Sequence, residues 1–303
     1  MKQLTLFTPT YNRAYSLPRL YDSLLKQDTS VFKWLIVDDG STDNTKELVD
    51  GWISEGKLEI KYMYQKNAGK MAAHNLGVKE CDTELFLCCD SDDRMAENSI
   101  KPALDFWNAY QKELSGMVGP KRLHQKELSG MVGPRDNKKS DTDTLETLPK
   151  NEKTDTLSGL YKKGYFGETA LFFKTSVIRQ YPFPVIDGEK FIPEGYVYRQ
   201  LDDKYELLIY PTYCMDCEYQ PDGYTNNGLK LKIKNPKSSL LNEMDILKRN
   251  FTIKGAIRVL GLLEFVGEPY KITKLPHPLT MAMLLPLGKI LAARYNKLKK
   301  EFK

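Results

Sequence analysis

The sequence predicts an α/β fold in which a mostly parallel sheet is flanked by helices. In the first ninety residues, short apolar and β-branched runs alternate with segments whose apolar residues recur at helical spacing. Strands joined by helices run parallel and are covered on both faces. After residue 240 the pattern is helical only, which predicts a C-terminal helical extension. We therefore expect an α/β domain over residues 1–220, followed by a mobile loop and a basic helical region over 221–303.

Each predicted strand is a short apolar run that ends in a turn or a polar segment. Helical spacing follows most of the runs, with apolar positions at Leu17, Leu20 and Leu24 as the first example. A further helix is predicted over residues 68–78. The predicted strands are residues 4–7, 34–37, 58–64, 85–89, 164–173 and 207–213.

Composition narrows the class of protein. The chain has 303 residues, of which 41% are hydrophobic, so it can bury a full core. The net charge of +5 is too small to indicate a nucleic-acid partner. The charge is unevenly distributed, however, because residues 230–303 hold sixteen basic and five acidic residues. This imbalance predicts an anionic surface or ligand near the C-terminal region.

Cysteine use and apolar runs bear on localisation. Five cysteines are too few for a disulfide scaffold. The first ten residues lack the apolar core of a secretory signal. The longest apolar stretch, residues 279–290, contains Pro286 and Lys289 and is too short to span a membrane. We expect a cytoplasmic protein, or one that is peripheral on the inner face of the cell membrane.

Polar clusters follow three of the predicted strands. They are residues 8–12, the pair Asp38 and Asp39, and residues 90–93. In parallel sheets, ligands bind outside the carboxyl ends of the strands. The sequence therefore predicts a ligand site where these three clusters meet.

The segment from Asp90 to Asp93 holds three carboxylates within four residues. Carboxylates this close repel one another unless a cation neutralises them, and oxygen ligands suit Mg²⁺ or Mn²⁺. The alternative is a solvated acidic turn, or acidic residues that favour a helix N-terminus.

The pair Asp38 and Asp39 has two interpretations as well. Either carboxylate could accept a hydrogen bond from a base or a ribose hydroxyl, or the pair could cap the next helix. Ser41, Thr42 and Asp43 already supply capping side chains, which favours the ligand. Lys70 follows Gly69 at a predicted helix start, where it could bind an anion or be an ordinary surface lysine.

Four ordered motifs resemble glycosyltransferase family 2. The resemblance covers about the first hundred residues and implies the Rossmann-like GT-A fold and inverting transfer from a nucleotide sugar. The motifs are Thr8-Pro9-Thr10-Tyr11-Asn12-Arg13, Val37-Asp38-Asp39-Gly40-Ser41-Thr42-Asp43, Asn67-Ala68-Gly69-Lys70 with His74-Asn75-Leu76-Gly77, and Asp90-Ser91-Asp92-Asp93.

The resemblance also implies roles for individual residues. Tyr11 would lie against a uracil base and Asp39 would bind its N3. Asp92 would hold Mn²⁺ or Mg²⁺ against the diphosphate, together with Asp90, which could instead bind the ribose. The full set of implied nucleotide-sugar-binding residues is Thr8, Tyr11, Asp39, Lys70, Asp90 and Ser91.

Inverting transfer also requires a base that takes the proton of the acceptor hydroxyl. The resemblance implies an acidic residue downstream, near the start of a helix. Glu194 precedes a helix-like stretch and is the predicted base, although a glutamate there could equally favour the helix N-terminus. The competing candidates are Glu168, Asp187, Glu189, Asp202 and Asp203.

The predicted activity is metal-dependent transfer of a sugar from a nucleotide diphosphate sugar, with a UDP-sugar as the expected donor, to a glycan or lipid-linked saccharide in cell-surface polysaccharide synthesis. No nucleic-acid partner is expected. One alternative is a sugar-1-phosphate nucleotidyltransferase, although residues 8–13 lack its Gly-rich basic signature. The other is a non-catalytic scaffold that binds a nucleotide or a membrane.

Several features outside the motifs carry weaker predictions. The decapeptide QKELSGMVGP occurs at 111–120 and again at 125–134, and only one copy should form a strand while the other loops out. Residues 136–158 are polar and predict a surface loop. Cys214 and Cys217 form an isolated CxxC that is better explained by packing than by zinc, and packing also best explains His74.

Two C-terminal features suggest contact with ligands. Residues 221–239 are predicted to form a Gly-, Asn- and Lys-rich loop. Its part 222–228 could close over the diphosphate, with Lys230, Lys232 and Lys234 as counter-charges, and the alternative is a solvated linker. Residues 276–303 are apolar first and lysine-rich afterwards. This order is typical of an interfacial helix on an anionic membrane surface, although a helix packed on the catalytic domain is the alternative.

Overall fold

The computed structural model describes residues 2–116, 126–137, 148, 152–165, 167–217 and 227–302. The chain divides into two compact units. The first comprises Met1–Pro182 and Val197–Gln220, and the second comprises Phe183–Tyr196 and Pro221–Lys303.

A mixed sheet forms the centre of the first unit. Along the sheet the order is β3-β2-β1-β4-β8-β6-β10-β5, and β9 pairs with both β6 and β7. The strands are β1 (Leu4–Thr10), β2 (Phe32–Asp38), β3 (Ile60–Tyr64), β4 (Leu85–Cys88), β5 (Arg94–Met95), β6 (Glu127–Asn137), β7 (Thr154–Asp155), β8 (Thr169–Lys174), β9 (Tyr205–Ile209) and β10 (Met215–Cys217).

Helices connect the strands and make up the C-terminal region. They are α1 (Leu17–Leu24), α2 (Thr45–Glu55), α3 (Lys70–Glu80), α4 (Ile100–Gly116), α5 (Leu157–Lys162), α6 (Thr175–Ile178), α7 (Gly195–Asp202), α8 (Gly228–Lys234), α9 (Pro236–Arg249), α10 (Ile253–Val266) and α11 (Pro278–Glu301).

The first four strands form a parallel block with β1 at its centre. β1 pairs in parallel with β2 on one side and β4 on the other, and β2 pairs in parallel with β3. Every residue of β1 is buried, as expected for a strand covered on both faces. This arrangement brings the carboxyl ends of β1, β2 and β4 to one edge, as the sequence predicts.

Helix α3 lies close to β1 because it carries a glycine at the contact. A Cβ atom on Gly77 would stand 2.4 Å from the Phe7 ring. Phe7 also stacks on Phe86 of β4, with ring centroids 5.2 Å apart. The glycine of the His74–Gly77 motif thus allows the helix to approach the sheet.

The duplicated decapeptide adopts two structures. The second copy forms most of β6, in which Gly130–Pro134 pairs antiparallel with β8. The first copy begins as the end of α4, up to Gly116, so those residues are helical and not looped out. The rest of that copy lies outside the described residues.

Two predicted loops contain regular structure. Within 136–158, Thr154–Asp155 forms β7 against β9, and α5 begins at Leu157, which is buried. Within 221–239, α8 and the start of α9 are helical, since Ile233 is buried on α8. The loop prediction is therefore wrong for those parts, and residues 138–147 and 218–226 lie outside the described residues.

The second unit is built around a buried carboxylate. Glu243 of α9 accepts hydrogen bonds from Lys232 Nζ of α8 at 2.6 Å and Arg258 Nε of α10 at 2.8 Å. Burial alone would raise the pKa of Glu243, but these two cations lower it. Among the described residues, none of the helices has the length and apolar character needed to cross a membrane.

Candidate functional site

The loops after β1 and β2 are hydrogen-bonded to each other through Asn12. Its side-chain Oδ1 accepts a hydrogen bond from the backbone amide of Thr42 at 2.8 Å, and its backbone amide donates one to Ser41 Oγ at 2.8 Å. Asn12 has a φ of 53°, in the left-handed region that asparagine tolerates better than most residues. The first two polar clusters therefore form one connected surface.

Asp38 and Asp39 are buried and are engaged by neighbouring groups. Asp38 accepts from the Ser41 amide at 2.7 Å and from the Tyr62 hydroxyl at 2.6 Å. Asp39 accepts from three donors, all on the segment that leads into α3. They are Gln65 Nε2 at 2.7 Å and the amides of Ala68 and Gly69, both at 2.8 Å.

Asp39 is linked to the acidic turn through the start of α3. Its carboxylate holds the amides of Ala68 and Gly69, and the next residue, Lys70, donates from Nζ to Asp90 Oδ2 at 2.8 Å. Gly40 allows this segment to come close, because a Cβ there would stand 2.9 Å from the Asn67 amide nitrogen. The structure thus connects the loop after β2 with the turn after β4, through the predicted anion-binding lysine.

The acidic turn gathers three carboxylates. One oxygen from each of Asp90, Asp92 and Asp93 lies within 4.8 Å of the others. Burial raises the pKa of Asp92, and the negative charge of Asp90 raises it further. Burial alone would also raise the pKa of Asp90, but the Lys70 ammonium lowers it. The turn therefore holds more negative charge than its protein partners neutralise, as a cation site does.

Arg135 also belongs to the acidic turn's surroundings, although it was not predicted from the sequence. This residue of β6 is half-buried, and its guanidinium donates from Nη2 to Asp93 Oδ2. Its Nε is buried without a hydrogen-bond partner among the described residues. Arg135 lies in the second decapeptide copy's strand, 42 residues beyond Asp93, so no local motif could have revealed the pair.

The predicted nucleotide-binding residues differ in exposure. Tyr11 is 48% exposed beside the loop after β2. Thr8 is fully buried, and its Oγ1 accepts from Trp34 Nε1 at 2.9 Å, so its hydroxyl belongs to the core. Ser91 is also buried. Because β1 is covered on both faces, the side chain of Thr8 packs within the sheet layer and not on an open surface.

The predicted base and its competitors are distributed over both units. Glu194 is half-buried, belongs to the second unit and lies directly before α7. Glu189 accepts from the amides of Lys237 and Ser238, both at 2.7 Å, at the start of α9. Asp202 accepts from the amides of Leu157 at 3.0 Å and Ser158 at 2.9 Å, at the start of α5. These last two carboxylates therefore cap helices.

The remaining reactive side chains pack in the interior. His74 is 5% exposed and lies edge-on to Phe7 and Phe86, with centroids 5.8 and 5.3 Å apart. Cys214 and Cys217 are both free and buried, and burial raises the pKa of the Cys214 thiol to about 12. Both predictions of ordinary packing are confirmed.

A family model described as Glycosyl transferase family 2 matches residues 5–179. This span is more than half of the chain and contains all four motifs. The chain belongs to glycosyl transferase family 2. The acidic turn and the loops after β1 and β2 lie inside the region that matches the family model.

Curated relatives match a similar region. The teichoic acid poly(glycerol phosphate) polymerase of Staphylococcus epidermidis is 31% identical over 121 residues, which are 40% of this chain and 16% of that protein. The poly(ribitol-phosphate) β-N-acetylglucosaminyltransferase TarS of Staphylococcus aureus is 28% identical over 116 residues, 38% of this chain and 20% of TarS. The shared segment is thus a small part of these longer relatives.

Solved structures share the fold over most of the chain. TarS residues 1–349 from S. aureus in complex with UDP give a TM-score of 0.57 at 16% identity, covering 90% of this chain and 73% of that one. The mannosyltransferase PcManGT of Pyrobaculum calidifontis, in complex with GDP-Man and Mn²⁺, gives 0.52 at 17% identity, covering 98% and 76%. The fold of this family 2 protein is GT-A, as predicted.

The acidic turn of this family 2 protein fits a divalent cation. Its three clustered groups offer only carboxylate oxygens, the ligands that Mg²⁺ and Mn²⁺ prefer. Asp93 is paired with Arg135 and Asp90 with Lys70. Asp92 is therefore the carboxylate best suited to hold the ion, and Asp90 would join it while it remains in contact with Lys70. Asp92 is half-buried and carries the uncompensated charge noted above.

Proposed function

We propose that this family 2 protein is a metal-dependent inverting glycosyltransferase that uses a UDP-sugar as donor. The observation that carries the proposal is the acidic turn after β4, where Asp90, Asp92 and Asp93 converge within 4.8 Å. A Mn²⁺ or Mg²⁺ ion bound there would orient the diphosphate and stabilise charge on the departing oxygen.

The donor nucleoside is assigned to the loops after β1 and β2. Tyr11 is exposed enough to stack on a base. The two oxygens of Asp39 offer about four acceptor positions, and three donors from the chain use three of them. Within the part of the chain that the structure describes, this count leaves one position, which we assign to a base N3–H. Lys70 stands beside Asp90 and would place positive charge near the diphosphate.

The acceptor base is assigned to Glu194. It is half-buried and directly precedes α7, as the predicted base does in the sequence pattern. In inverting transfer the base removes the proton of the acceptor hydroxyl as that oxygen attacks the anomeric carbon, opposite the leaving diphosphate. The assignment is tested by comparing a Glu194 variant with variants of three other candidate carboxylates, Asp187, Asp203 and Glu168.

The acceptor class is a glycan or a lipid-linked saccharide in cell-surface polysaccharide synthesis. The names of the relatives support this, since TarS is a poly(ribitol-phosphate) β-N-acetylglucosaminyltransferase and another relative is a teichoic acid polymerase. UDP-GlcNAc, bound in a TarS structure that also matches this fold, is the first donor to test. If the acceptor is lipid-linked, the enzyme would act at the inner face of the cell membrane.

The decisive experiment measures UDP release from a panel of UDP-sugars with Mn²⁺, with Mg²⁺ and with a chelator. We expect metal-dependent release and a thermal shift with UDP and Mn²⁺ together. Release of pyrophosphate from UTP and a sugar 1-phosphate would instead identify a nucleotidyltransferase. Binding without any release from any donor would identify a scaffold.

A further inference from the structure

Helix α11 has one face packed against its own unit and another face open to solvent. The packed face contains Met281, Gly288 and Ala292, which are buried. Its contact with α10 is tight, because a Cβ on Gly288 would stand 2.5 Å from the Cβ of Leu260. These contacts define the face of α11 that is turned toward α10.

The open face of α11 is apolar where solvent-exposed helices are usually polar. Leu279, Met283 and Ile290 are 83%, 81% and 67% exposed, and Leu287 beside them is 46% exposed. With 3.6 residues per turn, the first three project from the side opposite the packed face. We call these four side chains the α11 stripe. Such a continuous exposed apolar row on a well-packed helix marks an interaction surface.

Basic residues continue the same face. Arg294 and Lys297 follow the α11 stripe at helical spacing and are exposed. The helix as a whole carries five basic residues and a single acidic one, Glu301. Basic residues in the last turn suit the helix dipole, but this does not account for Lys289 and Arg294 farther from the end, nor for the exposed apolar stripe.

We propose that the α11 stripe and its basic continuation bind an anionic lipid surface. Apolar side chains along one face would enter the headgroup boundary, while the lysines and Arg294 would pair with lipid phosphates. A second copy of the chain fits less well, because parallel stripes would bring the basic ends together and antiparallel stripes would place them against apolar side chains. This inference adds a membrane surface as a partner of the proposed enzyme. It rests on the proposed function only for the reason that the enzyme would work at a membrane.

The test is co-flotation of the full chain with phosphatidylcholine vesicles, with and without phosphatidylglycerol. We expect binding to the anionic vesicles and much weaker binding to the neutral ones. The triple variant Leu279→Ser, Met283→Ser, Ile290→Ser should lose binding, since each apolar anchor contributes roughly a factor of ten. Arg294→Gln with Lys297→Gln should weaken binding by about fivefold for each charge and make it less sensitive to salt.

Matched controls separate the stripe from apolar exposure in general. Ile53→Ser and Val185→Ser remove aliphatic side chains that are 42% and 60% exposed elsewhere, and they should leave flotation unchanged. Each variant is checked by its melting temperature and by UDP release without vesicles, so failure of transfer and failure of docking are distinguishable.

Three outcomes would overturn the proposal. One is no flotation of the wild-type chain with anionic vesicles, and another is equal flotation with neutral vesicles. The third is a dimer in light scattering that the triple serine variant abolishes without any change in flotation, which would show that the stripe pairs two copies of the chain.

Discussion

Two acidic segments follow neighbouring strands of the same parallel block, yet they serve different ends. After β2, Asp38 and Asp39 together accept hydrogen bonds from five donors of the chain. After β4, the carboxylates of Asp90, Asp92 and Asp93 crowd together, and the pKa of Asp92 is raised by burial and by its acidic neighbour. The negative charge of Asp38 and Asp39 is therefore matched by hydrogen-bond donors, whereas the turn from Asp90 to Asp93 holds more negative charge than its partners balance.

The difference shows how one sequence pattern can have two physical roles. A carboxylate with its donors supplied by the backbone organises a loop and adds to stability. A carboxylate without enough donors destabilises the protein until a cation binds. Substitutions in the two segments should therefore have different signatures. In the first segment stability and donor affinity should be lost, and in the second the rate of transfer should be lost.

The largest effect is expected for Asp92→Asn. Loss of a metal ligand should reduce the rate of sugar transfer by roughly 10²–10³-fold, as a loss of transition-state stabilisation. The melting temperature without metal should stay the same or rise, because the substitution removes a carboxylate whose pKa is raised by burial and by Asp90. Initial rates of UDP release and thermal melts measure both quantities.

Asp50→Asn is the matched control for this variant, since Asp50 is an exposed residue of α2. It should leave rate and melting temperature unchanged. Wild-type rates and wild-type Mn²⁺ affinity in Asp92→Asn would remove Asp92 from the metal site.

The next largest effect is expected at the ion pair between Arg135 and Asp93 of the acidic turn. Arg135→Met should lower the free energy of unfolding by about 3 kcal/mol, because it leaves Asp93 buried without its cation. The double variant Arg135→Met with Asp93→Asn should recover much of the loss. Urea denaturation of the four proteins gives the coupling energy directly. Additive losses would show that the two side chains do not stabilise each other.

A smaller effect is expected for Asp39→Asn. The amide group would place an N–H₂ against backbone N–H donors, which costs about 2 kcal/mol. Because the loop leading into α3 should also loosen, the KM for the donor should rise more than kcat falls. Chemical denaturation and steady-state kinetics test the two parts. If Asp39→Asn matched Asp92→Asn in its loss of kcat at full stability, the contrast between the segments would be wrong.

Local patterns made the parallel block predictable. Apolar runs identified β1 to β4, and the polar clusters after them identified the edge that bears the site. The same information could not separate a donor-satisfied carboxylate from an unsatisfied one. That distinction depends on partners such as Gln65 and Lys70, whose side-chain directions are set by how α3 meets the sheet.

Other features could not be predicted because they depend on contacts between residues that are far apart along the chain. Arg135 reaches Asp93 only because β6 joins the sheet, and Thr8 turns inward because its hydroxyl meets the indole of Trp34. The segment before α9 was predicted as a loop from its Gly, Asn and Lys content, whereas Lys232 becomes part of a helix that pairs with Glu243. Composition carries no record of such partners.

The smallest effect tests the helix that joins the two segments. His74 lies on α3 one turn after Lys70, and burial, followed by the charge of Lys70, lowers its pKa to about 3. The unfolded chain binds a proton near the ordinary pKa of about 6.5, whereas the folded chain does not. This contribution to stability is therefore present above pH 6.5 and is lost progressively as the pH falls toward 3.

The difference should amount to about 1 kcal/mol between pH 7 and pH 5.5. Urea denaturation of the wild type and of His74→Phe at both pH values measures it, and the titration of the carboxylates cancels in the comparison. The wild type should lose more stability than the variant between these two pH values. Equal pH dependence in wild type and His74→Phe would mean that the start of α3 opens enough to hydrate the imidazole, and the link between Asp39 and Asp90 would then be a mobile one.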